Sequence, residues 1–243
     1  DGTYYGKAML AGHIYSIAGN KSISSASAGT VDVLATNVSI GYPSNRKFVV
    51  DAQGNLFFGD NLGTSRLRMV PRISGTYYGQ TMTANRIYTL SSETYNDQTR
   101  VMDVGLDNAG NVYFIRGALS NATVLRRIDG TGSITDPAPG FAGKAEALAV
   151  AGDGTLYTAR DRVIWKIAGG VPEMLRDGAN GNSEDGVSLP LAQFKTVYTL
   201  AVSAAGHLYF NDRDNYCIRM IPKADGIYHG KTMLANHLYV VAG

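Results

Sequence analysis

Charge is scarce in this sequence. Asp, Glu, Lys and Arg make up only 17% of its 243 residues and nearly cancel, at a formal net charge of +2. No basic run occurs; Arg126-Arg127, Lys21 and Lys231 stand isolated among polar neighbours, so no nucleic-acid partner is expected. Long apolar runs are missing too, and no segment reaches the roughly 20 residues that span a bilayer as a helix, so no transmembrane segment is expected. The single cysteine, Cys217, excludes an internal disulfide and a cysteine-based metal knuckle, and reads as a small buried hydrophobe on a strand. No 3.6-residue periodicity is sustained, which leaves little room for helix. The sequence opens at Asp1 without Met or an apolar leader, as expected of a processed or excised segment. Low charge with abundant Gly, Ser, Thr, Asn and Tyr predicts a secreted or cell-surface bacterial protein.

What is present is repetition. The phrase G-x-Y-[YH]-G-[KQ]-x-M-x-A-[GN]-[HR]-[IL]-Y occurs three times, opening at Gly2, Gly75 and Gly226, at spacings of 73 and 151 residues. A shorter phrase fills the intervals: Asp51-Ala-Gln-Gly-Asn-Leu-Phe-Phe, Asp107-Asn-Ala-Gly-Asn-Val-Tyr-Phe, Ala151-Gly-Asp-Gly-Thr-Leu-Tyr-Thr and Ser203-Ala-Ala-Gly-His-Leu-Tyr-Phe. Its glycines, Gly54, Gly110, Gly154 and Gly206, lie 56, 44 and 52 residues apart. A period near fifty made of short β-like runs is the mark of a propeller or solenoid array.

Residues 46–91 show one unit clearly. Phe48-Val-Val-Asp is an apolar run and Ala52-Gln-Gly-Asn a tight turn, for which Gly54 supplies the positive φ. Leu56-Phe-Phe-Gly-Asp returns, Asn61-Leu-Gly-Thr turns again, Ser65-Arg-Leu-Arg-Met-Val alternates polar and apolar, and Ile87-Tyr-Thr-Leu closes the unit. Four short antiparallel strands, repeated, make the blade of a β-propeller. The expected blades cover approximately 46–91, 101–135, 146–175 and 197–242, in one all-β propeller domain or propeller segment spanning 1–243.

The pattern apolar-Ala-Val-x-x-x-Gly-x-Leu-Tyr-x-x-Asp, followed by an R-[IL]-R-[MIV] strand, resembles the NHL repeat; residues 200–221 and 48–70 carry it best. The resemblance covers the four units and implies bacterial propellers similar to streptogramin lyases and gluconolactonase-like proteins. Propellers host many unrelated sites, so the resemblance implies a fold more than an activity.

The termini repeat each other. Residues 13–18 copy the last strand of a unit without its first three, and residues 237–242 end the sequence in the same phase. This orphan strand is expected either from excision out of a longer run of repeats or as an edge that adds to a neighbouring molecule, giving homo-assembly into filaments. Residues 20–45 offer one strand-like run, Thr30-Val-Asp-Val-Leu-Ala, for an irregular fifth blade.

Three sets of candidate site residues emerge. The G-x-Y-[YH]-G insert lies between third and fourth strands of the first and last units, and projects Tyr4, Tyr5, Tyr77, Tyr78, Tyr228 and His229 from a rim. Such rings suit a protein or carbohydrate contact; equally, they suit packing of an extended hairpin on the adjacent blade, since Met9, Met82 and Met233 recur in every copy. Asp177, Glu184 and Asp185 are the densest carboxylate group, loosely like a cation loop, although Asx turns explain them as well. Asp51, Asp107, Asp60 and Asp212 fall at strand ends, where they are expected to cap turns. The histidines all occupy repeat slots: His13 and His237 match Arg86, His207 matches Asn55, and His229 matches Tyr5 and Tyr78. No catalytic residue therefore stands out and no cofactor is expected. The functional expectation is a non-enzymatic extracellular binding or assembly module, the alternative a metal-dependent lyase or lactonase.

Overall fold

The computed structural model describes all residues except 23–30, 42–46, 62–64, 92–99, 118–122, 142 and 178, together with the side chain of Asp177. Among the described residues there is no α-helix; three short 3-10 turns interrupt an otherwise all-β chain. The expected turn at 61–64 falls mostly outside these residues, as does the start of the first expected blade.

Each expected unit forms a sheet. The first pairs Val49–Val50, Leu56–Asp60, Arg66–Val70 and Arg86–Thr89 in sequence order, all antiparallel. The second contains Arg100–Leu106, Val112–Gly117, Val124–Ile128 and Ile134–Thr135, and the third Ala147–Val150, Leu156–Arg160, Val163–Ala168 and Val171–Asp177. The fourth contains Val197–Val202, Leu208–Asp212, Cys217–Ile221 and His237–Ala242. These are the four-stranded meanders of propeller blades.

The first and fourth blades carry a fifth, outermost strand that their sequence period had hidden. Val33–Leu34 pairs with Arg86–Thr89, and Val187–Ser188 with His237–Ala242. Thus Val33–Leu34, from the strand-like run expected at 30–35, joins the first blade, and the described residues of 20–45 form no further strand. Both added strands run into a 3-10 turn, Ala35–Asn37 or Leu189–Leu191. Ala35 and Leu189 each donate a backbone hydrogen bond at 2.9 Å, to the carbonyls of Asn85 and Asn236 respectively.

The orphan strand is a correction. Residues 13–18 form no ladder; the strand structure near the N-terminus is a hairpin of Gly2–Tyr4 with Lys7–Met9. Its counterpart at 237–242 is a strand because Cys217–Ile221 lies beside it to accept and donate the ladder bonds. Among the described residues no strand lies beside 13–18 to pair with. Ile17 and Ala18 instead pack on the apolar cluster of the first blade, while Ile14 is fully exposed.

The chain divides into two compact units, one of residues 1–104, 110–120 and 125–136, the other of 105–109, 121–124 and 137–243. In the first, Ala35, Val38, Phe58, Val70 and Ile87 form an apolar cluster. In the second, one cluster runs from Ala147, Ala149, Ala159 and Ile164 of the third blade to Leu200, Leu208, Phe210, Ile221 and Leu238 of the fourth. Cys217 is buried as expected, and burial pushes its thiol pKa up.

Candidate functional site

Most constant positions of the long phrase have a structural task. Gly2, Gly75 and Gly226 lie under the ring of the tyrosine two residues on; a Cβ there would come 2.9, 3.3 and 2.7 Å from ring atoms of Tyr4, Tyr77 and Tyr228. The next two residues turn the hairpin with positive φ at both: 49° and 69° at Tyr5 and Gly6, 51° and 72° at Tyr78 and Gly79, 50° and 75° at His229 and Gly230. This is the two-residue turn whose twist matches antiparallel strands. The Lys or Gln that follows donates to a carbonyl nine residues on: Lys7 to Ser16, Gln80 to Thr89 and Lys231 to Val240. Met82 and Met233 are buried. The closing tyrosines Tyr15, Tyr88 and Tyr239 each accept, at 2.9 Å, the backbone N–H of the residue after the methionine.

The second tyrosine of the phrase does more. Tyr5 Oη donates to the carbonyl of Gly54 at 2.6 Å, and Tyr78 Oη to that of Gly110 at 2.8 Å. Both acceptors are turn glycines between the first and second strands of the blade that follows the hairpin in sequence. Tyr78 also stands edge-on to Phe57 of its own blade, with ring centroids 6.0 Å apart and an interplanar angle of 87°. Each hairpin is therefore a clasp from one repeat to the next. In the last copy His229 takes this slot and repeats the edge-on contact, with Tyr209, at 6.1 Å and 87°. Removing the Tyr78 hydroxyl (Tyr78→Phe) is expected to lower stability by about 0.5–1.5 kcal/mol, the net worth of one hydrogen bond, as read from urea denaturation.

The six rim candidates thus sit on three hairpins, two in the first unit and one in the second. Tyr5, Tyr77, Tyr78 and Tyr228 are half-buried, and Tyr77 and Tyr228 donate to the carbonyls of Ile73 and Ala224. Tyr4 is 40% exposed and lies under the Arg72 guanidinium, 4.9 Å from the ring centroid. Burial is the largest influence on Tyr5 and raises its pKa against the opposing charge of Arg72.

Of the three carboxylates, Asp185 is engaged by the protein's own donors. Asp185 accepts from the Val240 N–H at 2.7 Å and from Lys231 Nζ at 2.6 Å. Partial burial pushes Asp185 upward, yet these two bonds and the charges of Lys231 and Arg219 outweigh it and hold the group below the usual carboxylate range. Glu184 is exposed, and the Asp177 side chain lies outside the described residues. Among the described residues no three His, Cys, Asp or Glu side chains gather as metal ligands.

Two of the four strand-end aspartates behave as expected: Asp51 accepts the Asn55 N–H at 2.7 Å and Asp107 the Ala109 N–H at 3.0 Å. Asp60 and Asp212 do not merely cap. They are fully buried and pair with Arg68 and Arg219, whose Nε atoms lie 3.2 and 2.8 Å away. The second carboxylate oxygen accepts a backbone N–H from Gly41 or Lys195. A signal was available: both blades place the aspartate at the end of the second strand and the arginine at the middle of the third. His207 reproduces the hydrogen bond of its slot. His207 Nδ1 meets the Lys223 N–H at 3.1 Å where Asn55 Oδ1 meets the Arg72 N–H at 2.9 Å.

Sequence spacing did not reveal a difference between equivalent blade faces. In the fourth blade Leu200 and Leu208 are 4% and 2% exposed beneath the third blade. Their counterparts in the first blade are Phe48 and Leu56, again eight positions apart, and Val50 matches Val202, which is half-buried against the same cluster. Phe48 is 67% and Val50 51% exposed. They line a largely apolar cavity of about 730 Å³ with Tyr5, Ile40, Leu56 and Phe58.

No protein-family profile and no curated protein matches the chain. Solved structures do. A puromycin hydrolase mutant complexed with PGG is 11% identical at a TM-score of 0.50, over 82% of this chain and 28% of that one. Virginiamycin B lyase from Staphylococcus aureus is 15% identical, TM-score 0.48, over 74% of this chain and 52% of the lyase. A gluconolactonase from Xanthomonas campestris is 13% identical, TM-score 0.41, over 80% and 62%. The chain spans about half the length of the lyase and about a quarter of the hydrolase. It has the β-propeller fold.

Proposed function

We propose that this chain is a binding and assembly module, and that the apolar face of the first blade is its working surface. The observation that carries this is the pair Phe48 and Val50, exposed on the face whose equivalent in the fourth blade is covered. Burying such side chains stabilises by about 1.5–3 kcal/mol each, so a covered face is favoured whenever a complementary surface is available.

The proposed occupant is the last blade of a second copy. The third blade covers the fourth with Ala147, Ala149, Tyr157, Ala159 and Ile164. The fourth blade presents the corresponding positions as Thr199, Ala201, Tyr209, Asn211 and Ile218. Of these, Ala201 is exposed, Ile218 is 36% exposed and Tyr209 is half-buried. Small and aliphatic residues recur there, with the same aromatic. One face lacks a cover and the other is built like one, so copies join head to tail. This replaces pairing through residues 13–18, which form no strand. A secreted or cell-surface setting remains part of the proposal.

Sedimentation velocity across a concentration series tests it. The chain is expected to associate, and Phe48→Asp and Ile218→Asp are each expected to weaken association by tenfold or more. A monomer at every concentration, or association indifferent to both substitutions, overturns the reading.

The rival, a metal-dependent lyase or lactonase, draws on the names of the structural neighbours. Elemental analysis of the purified protein separates the two: a stoichiometric divalent ion would favour the enzyme.

A further inference from the structure

The third blade lacks the clasp hairpin. Its third and fourth strands are joined by the short turn at Gly169 and Gly170, where the first blade inserts the Gly75–Tyr77 and Gln80–Met82 hairpin. The two surfaces that such a hairpin would bridge are nevertheless both present. On the third blade, Tyr157 occupies the strand position of Phe57 and Tyr209, the residues that Tyr78 and His229 meet edge-on. On the fourth blade, Gly206 occupies the turn position of Gly54 and Gly110, whose carbonyls accept the tyrosine hydroxyls.

The correspondence on the fourth blade extends to its surroundings. A Cβ on Gly54 would lie 2.7 Å from Arg72 Cδ, and one on Gly206 2.6 Å from Lys223 Cδ. Asn85 and Asn236 have positive φ and donate to the carbonyls of Pro71 and Pro222 at 3.0 and 2.9 Å. Where the first blade receives Tyr5 against these groups, the fourth has a cavity of about 410 Å³, lined among others by Tyr157, Gly206, Leu208, Ile221, Lys223 and Asn236. A volume of this size suits a small ligand or one aromatic side chain.

We infer that this cavity is a socket for a phenol ring, which stands edge-on to Tyr157 with its hydroxyl donating to the Gly206 carbonyl. Leu208 and Ile221, 2% and 5% exposed, supply the apolar wall. Lys223 occupies the position of Arg72, which in the first blade covers the neighbouring Tyr4 ring of the same hairpin. The occupied sockets place the required groups at one ring's reach, and the third-blade turn leaves this one open to a ring from elsewhere. The chemistry is that of a phenol, whether on a small compound or on a tyrosine of another polypeptide.

Titration of the whole chain with p-cresol, toluene and a cyclised peptide of the Gly75 to Met82 sequence, followed by NMR, tests the socket. p-Cresol is expected to bind about tenfold more tightly than toluene, the upper end of the net worth of one hydrogen bond. Tyr157→Ala is expected to lose about tenfold for p-cresol. A second variant guards against misfolding: grafting the Gly75 to Met82 sequence between Gly169 and Gly170 fills the socket in cis and should abolish p-cresol binding. A cyclised peptide that binds more tightly than p-cresol, and loses this on replacing its second tyrosine by alanine, assigns the socket to a polypeptide; a peptide no tighter assigns it to a small phenol. Equal binding of p-cresol and toluene, or p-cresol binding unchanged in the graft, overturns the inference.

Discussion

Asp212→Ala is expected to cost about 3–5 kcal/mol, the usual penalty for breaking a buried ion pair from one side. Asp212 and Arg219 are both fully buried, with Oδ2 and Nε at 2.8 Å. The carboxylate also accepts the Lys195 N–H at 2.9 Å and Asn215 Nδ2 at 2.8 Å. Alanine would leave a buried guanidinium with only neutral acceptors, the Ser183 carbonyl and Asn182 Oδ1. It would also remove the acceptor of the half-buried Lys195 N–H and one of the two acceptors of Asn215 Nδ2. Asp60→Ala should behave alike, because Arg68 is equally buried and desolvation is already the largest influence on it, lowering its pKa. In a chain of this size, melting should fall by about 2–4 °C per kcal/mol lost. Replacing the pair together, Asp212→Leu with Arg219→Met, should recover much of the loss, since apolar substitutes avoid the desolvation cost. Urea denaturation of the three proteins decides the matter. A single mutant within about 1 kcal/mol of the parent would show that the pair is dispensable.

Gly132→Ala is expected to lower stability by more than 2 kcal/mol, roughly the sum of a backbone strain and a weakened clasp. Gly132 has φ +88°, and a Cβ there would lie 2.4 Å from the Tyr78 carbonyl oxygen and 3.1 Å from its carbon. Backbone atoms cannot swing aside as a side-chain tip can. The hairpin would have to lift from the second blade, and the Tyr78 bond to Gly110 would lengthen with it. Gly140→Ala is the control: its φ is +85°, but nothing lies within 4 Å of its Cβ position. It should cost only the conformational strain, about 1 kcal/mol. Equal losses for the two variants would sink the clash argument. If the clasp is what Gly132→Ala disturbs, adding Tyr78→Phe to it should cost less than Tyr78→Phe alone.

The part legible in advance was local. Gly54, Gly110, Gly154 and Gly206 do hold positive φ, from 79° to 86°, because a tight turn between strands demands it and only glycine adopts it freely. Alternation in residues 65–70 pointed to a strand, which forms at Arg66–Val70, but its polar face is not wet: Arg68 is fully buried on Asp60. The slot of His207 was also readable, since its ring accepts the backbone bond that Asn55 accepts in the first blade.

Other features depended on segments far apart in the chain. Tyr5 finds Gly54 across 49 residues and Tyr78 finds Gly110 across 32, and no spacing rule links those pairs. The rim tyrosines were visible as a set, but a hydroxyl's acceptor is chosen by how the following blade packs. Val33–Leu34 and Val187–Ser188 are too short to show any period, and they become strands only because a neighbouring edge offers ladder bonds. The exposure of Phe48 against the burial of Leu200 has the same origin. Two side chains of like character, in matching repeat slots, differ only in whether another blade lies over them. Sequence by itself determined the repeat, its turns and its β character, because those follow from backbone geometry within a few residues. Tertiary structure alone decided the clasps and the exposure of the first blade's apolar face, because burial depends on which distant surfaces meet.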